Sequence, residues 1–138
     1  MIVALLDRSE RNHDHCVEII KSVVQPLVTC EAVIAESCYL LRRVSGAAEA
    51  ILENVEKSIF QVPFSIPRSV AAVRRLMLKY RDYQIDFADA CLIRLAEELN
   101  TGEILTLDSD FHVYRWRKNK PFHFLLDQDG RYLENREQ

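Results

Sequence analysis

What most constrains this chain is a rhythm of short apolar runs alternating with longer segments whose apolar residues recur every three or four positions. Ile104-Leu105-Thr106-Leu107 has the length and composition of a buried strand, and Leu27-Val28-Thr29 is a shorter candidate. Residues 58–64 alternate and are bounded by Pro63, residues 122–126 close the series, and residues 2–6 are apolar enough for strand or helix. Between these runs, Cys16, Ile19, Ile20 and Val23 mark a helix over residues 12–24 that Pro26 stops. Further helices are predicted over residues 30–44, with Thr29 as cap and Ser45-Gly46 as the break, and over 47–55. Two more follow over 67–80, with Pro67 in the first turn, and over 86–99, ended by Asn100-Thr101-Gly102. Strands that alternate with helices form a parallel sheet covered on both faces. The expected fold class is α/β, and in such sheets function sits at the carboxyl ends of the strands.

No internal repeat, low-complexity tract or Pro/Gly/Ser linker interrupts the 138 residues, so residues 1–126 read as one domain and 127–138 as a polar tail. Hydrophobic residues make up 49% and charged residues 28%, enough for a sizeable core. No apolar run approaches the roughly 20 residues that span a bilayer. Asp7 arrives too early for a secretory apolar region, so a cytoplasmic protein with no membrane partner is expected. The formal charge of −3 argues against coating nucleic acid through bulk positive charge, yet it does not argue against a nuclease, whose metal site must itself be acidic. Cys16, Cys30, Cys38 and Cys91 lack zinc-like spacing with one another or with the histidines. Reduced thiols in a cytosolic core are the expectation. Gly46, Gly102 and Gly130 are the only glycines, so neither a phosphate-cradling loop nor a dinucleotide fingerprint exists.

Several acids stand where acids are costly. Glu36 shares a helical face with Val33, Leu40 and Val44, and a carboxylate in an apolar stripe loses hydration. Surface pairing with Arg42 or Arg43 is the bland alternative. Asp89 shares its face with Leu92, Ile93 and Ala96. Asp86, three residues earlier, is explained well as an N-cap, which explains Asp89 only in part. Asp108 leaves the carboxyl end of the strand over 104–107, and Asp110 reads as a turn residue. Glu36, Asp89 and Asp108, near one rim, would repel strongly if bare, and a hard divalent cation resolves that repulsion. Such a cation activates water and stabilises charge on a phosphoryl oxygen, which points to a phosphodiester substrate.

These residues resemble a known family. Residues 29–43, from Thr29-Cys30-Glu31 through Glu36 to Arg42-Arg43, look like the second acidic segment of PIN-domain proteins. Asp86-Phe87-Ala88-Asp89-Ala90-Cys91-Leu92-Ile93 resembles the third, and Ile104-Leu105-Thr106-Leu107-Asp108-Ser109-Asp110-Phe111 the fourth. The resemblance covers nearly the whole chain from Leu5 onward, and the nearest type looks like VapC toxins. It implies a three-layer α/β/α sandwich with a central parallel sheet and a Mg²⁺- or Mn²⁺-dependent endoribonuclease. It also implies a homodimer and a small cognate antitoxin. Glu36, Asp89 and Asp108 would be the catalytic and metal-site acids. Asp86 and Asp110 would be their neighbours, and Thr106 a hydroxyl that orients the site. One departure stands out: the family's first strand ends in an Asp, and here residues 2–6 run straight to Asp7 with no aligned counterpart. That strand is central in the family, so residues 2–6 are expected to fill it, with Asp7 near the position of the missing acid.

The competing reading is a catalytically impaired PIN-fold protein that only binds antitoxin or RNA; the two differ at the N-terminus, where the sequence offers Asp7. A phosphate-accepting signalling domain would need an acidic pair after its first strand and a Lys after its last, and has neither. Two basic runs remain. Arg115-Trp116-Arg117-Lys118-Asn119-Lys120 could grip RNA phosphate and stack a base, or be a solvated loop with its Trp packed inward. Arg74, Arg75, Lys79 and Arg81 read mostly as ordinary surface.

Overall fold

The computed structural model describes residues 2–4, 18, 22–23, 26–106 and 109–126. Within them β1 (Ile2–Ala4), β2 (Leu27–Val28), β3 (Phe60–Gln61), β4 (Glu103–Leu105) and β7 (His123–Phe124) form a five-stranded sheet. The order is β3-β2-β1-β4-β7 and every pairing is parallel. Helices α1 (Glu31–Leu40), α2 (Ala47–Glu56), α3 (Ile66–Lys79) and α4 (Phe87–Leu99) flank the sheet in the expected α/β/α arrangement. Strands β5 (Arg115–Trp116) and β6 (Lys120–Pro121) form a separate antiparallel hairpin.

The apolar run at the N-terminus is a strand, and it is central. Val3 pairs with Val28 on one side and Ile104 on the other, and all three are fully buried. Parallel strands covered on both faces need apolar residues at consecutive positions, which Leu27-Val28 and Ile104-Leu105 supply. Leu5 and Leu6 lie outside the described residues, as does nearly all of the helix expected over residues 12–24, of which Glu18 and Ser22 are seen as helical.

Three boundaries depart from the sequence expectation. Helix α1 stops at Leu40, four residues before Val44, because the chain turns to bury Leu41. Arg42 then donates to the Tyr39 carbonyl at 2.8 Å and lies 4.1 Å over the Tyr39 ring. Gly46 follows with φ of 77°, a left-handed conformation that suits glycine at the entry to α2. Strand β3 keeps only Phe60 and Gln61 of the expected 58–64: Ser58 is left-handed on one side and Pro63 has no N–H to offer on the other. The cap of α1 is Cys30, not Thr29.

Candidate functional site

From β1 the chain steps outward through β2 to β3, then returns to the other side of β1 for β4 and β7. The carboxyl ends of β1 and β4 therefore border the switch point of the sheet, the crevice in which open parallel sheets bind ligands. Thr106 follows β4 there and is buried. Asp7 and Asp108, on the two segments leaving these strands, lie outside the described residues. Asp110 sits in the 3₁₀ turn Ser109–His112, exposed, with its carbonyl accepting from Val113 N–H at 3.0 Å. It is a turn residue, as its position predicts.

Asp89 lies in the first turn of α4, a helix packed against β1 and against α1. Its residue is only 3% exposed, and Leu92, Ile93 and Ala96 on the same face are fully buried. Asp86 is the N-cap: its Oδ1 accepts the Asp89 backbone N–H at 2.8 Å. One acid thus fixes where the helix begins, and the other is carried into the interior one turn later.

Glu36 is half-buried on α1, with its Oε1 atom enclosed. Its expected face is only partly apolar, since Val33 is fully buried whereas Leu40 is exposed. Because α1 packs on α4, the helices carrying Glu36 and Asp89 are neighbours. Thr29, at the end of β2, is fully buried, and its Oγ1 has no hydrogen-bond partner among the described residues. Such an orphan is what a water or an ion's hydration shell satisfies.

Beside these acids the structure places a thiol pair that periodicity did not assign. Cys30 and Cys91 are both buried. Hydrogen bonding from Cys91, then the nearby Val33 and Ala32 amides, draws the Cys30 pKa below the usual thiol value; burial and the Asp89 charge oppose this. The Cys91 thiol is correspondingly pushed up, first by Cys30 and then by burial. Both cysteines line a cleft of about 390 Å³, together with Glu31, Ala32, the Phe64-Ser65-Ile66-Pro67 segment and Phe87. Phe87 opens α4 and is 45% exposed.

The basic segment over 115–120 is the β5–β6 hairpin and stands at the opposite end of the sheet. Trp116 is 8% exposed, and its indole N–H donates to the Pro121 carbonyl at 3.1 Å. The ring lies against Gly102, immediately before β4 begins. Arg117 N–H donates to Glu97 and its guanidinium to Asn100 Oδ1, both at the carboxyl end of α4. Arg115 donates to the carbonyls of His112, Val113 and Tyr114, and Lys120 lies 4.9 Å over Trp116. Of the sequence alternatives, the packed Trp is what the structure shows, and the indole is not a free stacking platform. On α3, Lys79 reaches Asn119 of this hairpin at 3.3 Å, while Arg74 and Arg75 are exposed.

Asp89, Glu36, Thr29 and Thr106 offer carboxylate and hydroxyl oxygens, the donor chemistry that suits a hard divalent cation, and the Thr29 hydroxyl has no partner among the described residues. Among the described residues no three His, Cys, Asp or Glu side chains are grouped for a metal; Asp108, the expected third acid, is not among them. No helix among the described residues is long and apolar enough to cross a membrane.

Comparison with known proteins agrees with this architecture. The PIN domain family model matches residues 1–116. The chain is also 33% identical over 109 residues to ribonuclease VapC26 of Mycobacterium tuberculosis (strain ATCC 25618 / H37Rv), covering 78% of this chain and 81% of that protein. The central position of β1, the buried Asp89 and the matched length leave one conclusion: the chain belongs to the PIN domain family and is of the VapC type.

Proposed function

We propose that this chain is a cytoplasmic, metal-dependent endoribonuclease that acts as the toxin of a toxin–antitoxin pair. The observation that carries the reading is Asp89, a carboxylate 3% exposed, at the start of a helix packed on the central strand and on the helix of Glu36. Burial of a carboxylate is costly unless its charge is used or compensated. Similarity to a protein named ribonuclease supports the same chemistry. In this reading Glu36, Asp89 and Asp108 hold Mg²⁺ or Mn²⁺. When bound, the ion contributes positive charge at the phosphodiester and acidifies water. The chain's own part is positional. Asp86 fixes the first turn of α4 and so the direction of Asp89; the packing of α1 on α4 keeps bulk water from the buried Asp89; Thr106, following β4, supplies a hydroxyl that orients the site in this reading. A small antitoxin and a second copy of the chain complete the proposed assembly.

Cleavage of a labelled RNA pool, with Mn²⁺ and with chelator, tests the reading on wild type and Asp89→Asn. Cleavage by wild type with Mn²⁺ alone, abolished in Asp89→Asn, is the expected result. Undiminished cleavage by Asp89→Asn, or by wild type in chelator, would overturn it. Calorimetric titration with Mn²⁺ on the same proteins should show binding weakened by the substitution. Sedimentation of the purified chain checks the dimer.

A further inference from the structure

The cleft beside the acids has a composition that the metal site does not explain. Its described lining holds two aromatic rings, Phe64 and Phe87, the apolar Ala32, Ile66 and Pro67, the hydroxyl of Ser65 and the thiols of Cys30 and Cys91. One charged group is present, Glu31, exposed in the first turn of α1. No cation is among these residues, so the cleft is unsuited to a phosphate. At about 390 Å³ it lies within the usual size range of small-ligand pockets. Ser65 is the N-cap of α3 yet makes no side-chain cap bond, which leaves its hydroxyl for the cleft.

Two features tie the cleft to the site of cutting. Phe87 lies between Asp86 and Asp89 in sequence, at the first position of the same helix. Cys30 lines the cleft and is close enough to Asp89 to feel its charge. Phe87 is also a large aromatic left 45% exposed one residue from a buried alanine, with no role in the core. Proteins that read single-stranded RNA stack unpaired bases on such rings and hydrogen-bond the base edges.

We propose that this cleft is a nucleobase pocket: it takes the base of the RNA nucleotide beside the cut phosphodiester, stacked against Phe87 and Phe64, with Glu31 accepting hydrogen bonds from its edge. A carboxylate can only accept. Guanine presents adjacent N1–H and N2–H donors and fits it best; adenine and cytosine offer a single amino group, and uracil sets two carbonyls beside its one N–H. Guanine is therefore the favoured base. The inference rests on the ribonuclease reading, since it assumes an RNA strand at Asp89.

The test has an arm that needs no cleavage. Guanosine 5′-monophosphate and uridine 5′-monophosphate are titrated, followed by NMR, into wild type, Phe87→Ala, Phe87→Leu and Glu31→Gln, all in chelator. Wild type should bind the guanine nucleotide tighter, with the largest shifts at cleft residues. Phe87→Ala should weaken it roughly 5- to 100-fold, the range for cutting a stacking ring to alanine. Phe87→Leu, which keeps apolar bulk without the π-face, should recover little of that loss. Glu31→Gln should remove about tenfold of the guanine preference, as loss of a bidentate base contact does, and leave uridine binding unchanged. The second arm measures cleavage of short RNAs that differ only in the base at the cut; Glu31→Gln should flatten their KM differences more than kcat. Equal binding of both nucleotides by wild type, or binding indifferent to Phe87, overturns the pocket. So does unchanged RNA selectivity in Phe87→Ala combined with loss of antitoxin binding, which would assign the cleft to the protein partner. If wild type binds guanine nucleotide in the cleft but cuts no RNA, the ribonuclease reading fails, and with it the placing of the base beside a cut phosphodiester, while the cleft's guanine preference stands.

Discussion

Asp86 Oδ1 accepts a 2.8 Å hydrogen bond from the backbone N–H of Asp89, so two acids three residues apart are joined without doing the same work. Asp86 is half-exposed and caps α4; Asp89 is buried in the turn that the cap creates. Replacement of Asp86 by Ala should lower stability by about 1 kcal/mol, the usual cost of a lost N-cap. Ser, which also accepts from the helix backbone, should restore most of it. Urea denaturation measures both. A loss confined to activity, with stability untouched in Asp86→Ala, would place Asp86 in the metal site instead.

Glu36 offers a different balance. One Glu36 carboxylate oxygen is enclosed beside the helix of Asp89, and in the proposed reading its charge serves the metal. Glu36→Gln keeps the shape and removes the charge. Metal-dependent cleavage should disappear, while melting temperature in chelator stays equal or rises, because less like charge is confined. A clear fall in melting temperature, with cleavage retained, would show that Glu36 is structural.

The hairpin at the other end of the sheet shows where sequence reasoning met its limit. Alternating apolar strands, the N-cap at Asp86 and the buried face of Asp89 were legible because each rests on local periodicity. Whether Trp116 stacks on RNA or on the domain was not, because the answer depends on Gly102, fourteen residues away, being small enough to receive the ring. The cleft was invisible for the same reason: Phe87 falls off the Asp89 face of its own helix, and only the packing of α1 and the segment before α3 gives it neighbours. Asp7 and Asp108 lie outside the described residues, so their places rest on the sequence alone.

That packing makes its own prediction. A Cβ added at Gly102 would stand 2.6 Å from Trp116 Cε2 and 2.9 Å from Cζ2, inside any allowed contact. The ring is held by the Pro121 carbonyl and cannot swing away without losing that bond. Gly102→Ala should therefore destabilise the domain by about 1–3 kcal/mol, the range for overpacking. Cutting by the folded fraction should be unaffected, since the hairpin lies across the sheet from the acids. Thermal melts and cleavage rates at low temperature separate the two effects.

The N-terminal strand carries the last prediction. Val3 is fully buried and paired on both sides, with Val28 and with Ile104. Val3→Thr is nearly isosteric, but its hydroxyl would enter an apolar interior. An unsatisfied buried polar group costs about 1–3 kcal/mol, a large part of the roughly 5–15 kcal/mol that holds a domain together. A drop of that size is expected in urea denaturation, with no change in metal affinity. Asp7 is three residues beyond Ala4, where β1 ends at the switch point, and whether it serves as a metal-site acid is a separate question from the strand. Asp7→Asn should show the opposite pattern to Val3→Thr: stability kept, Mn²⁺ binding and cleavage reduced. The pair separates strand from ligand. Unchanged stability in Val3→Thr would contradict the central strand, and full metal-dependent cleavage by Asp7→Asn would remove Asp7 from the site while leaving β1 in place.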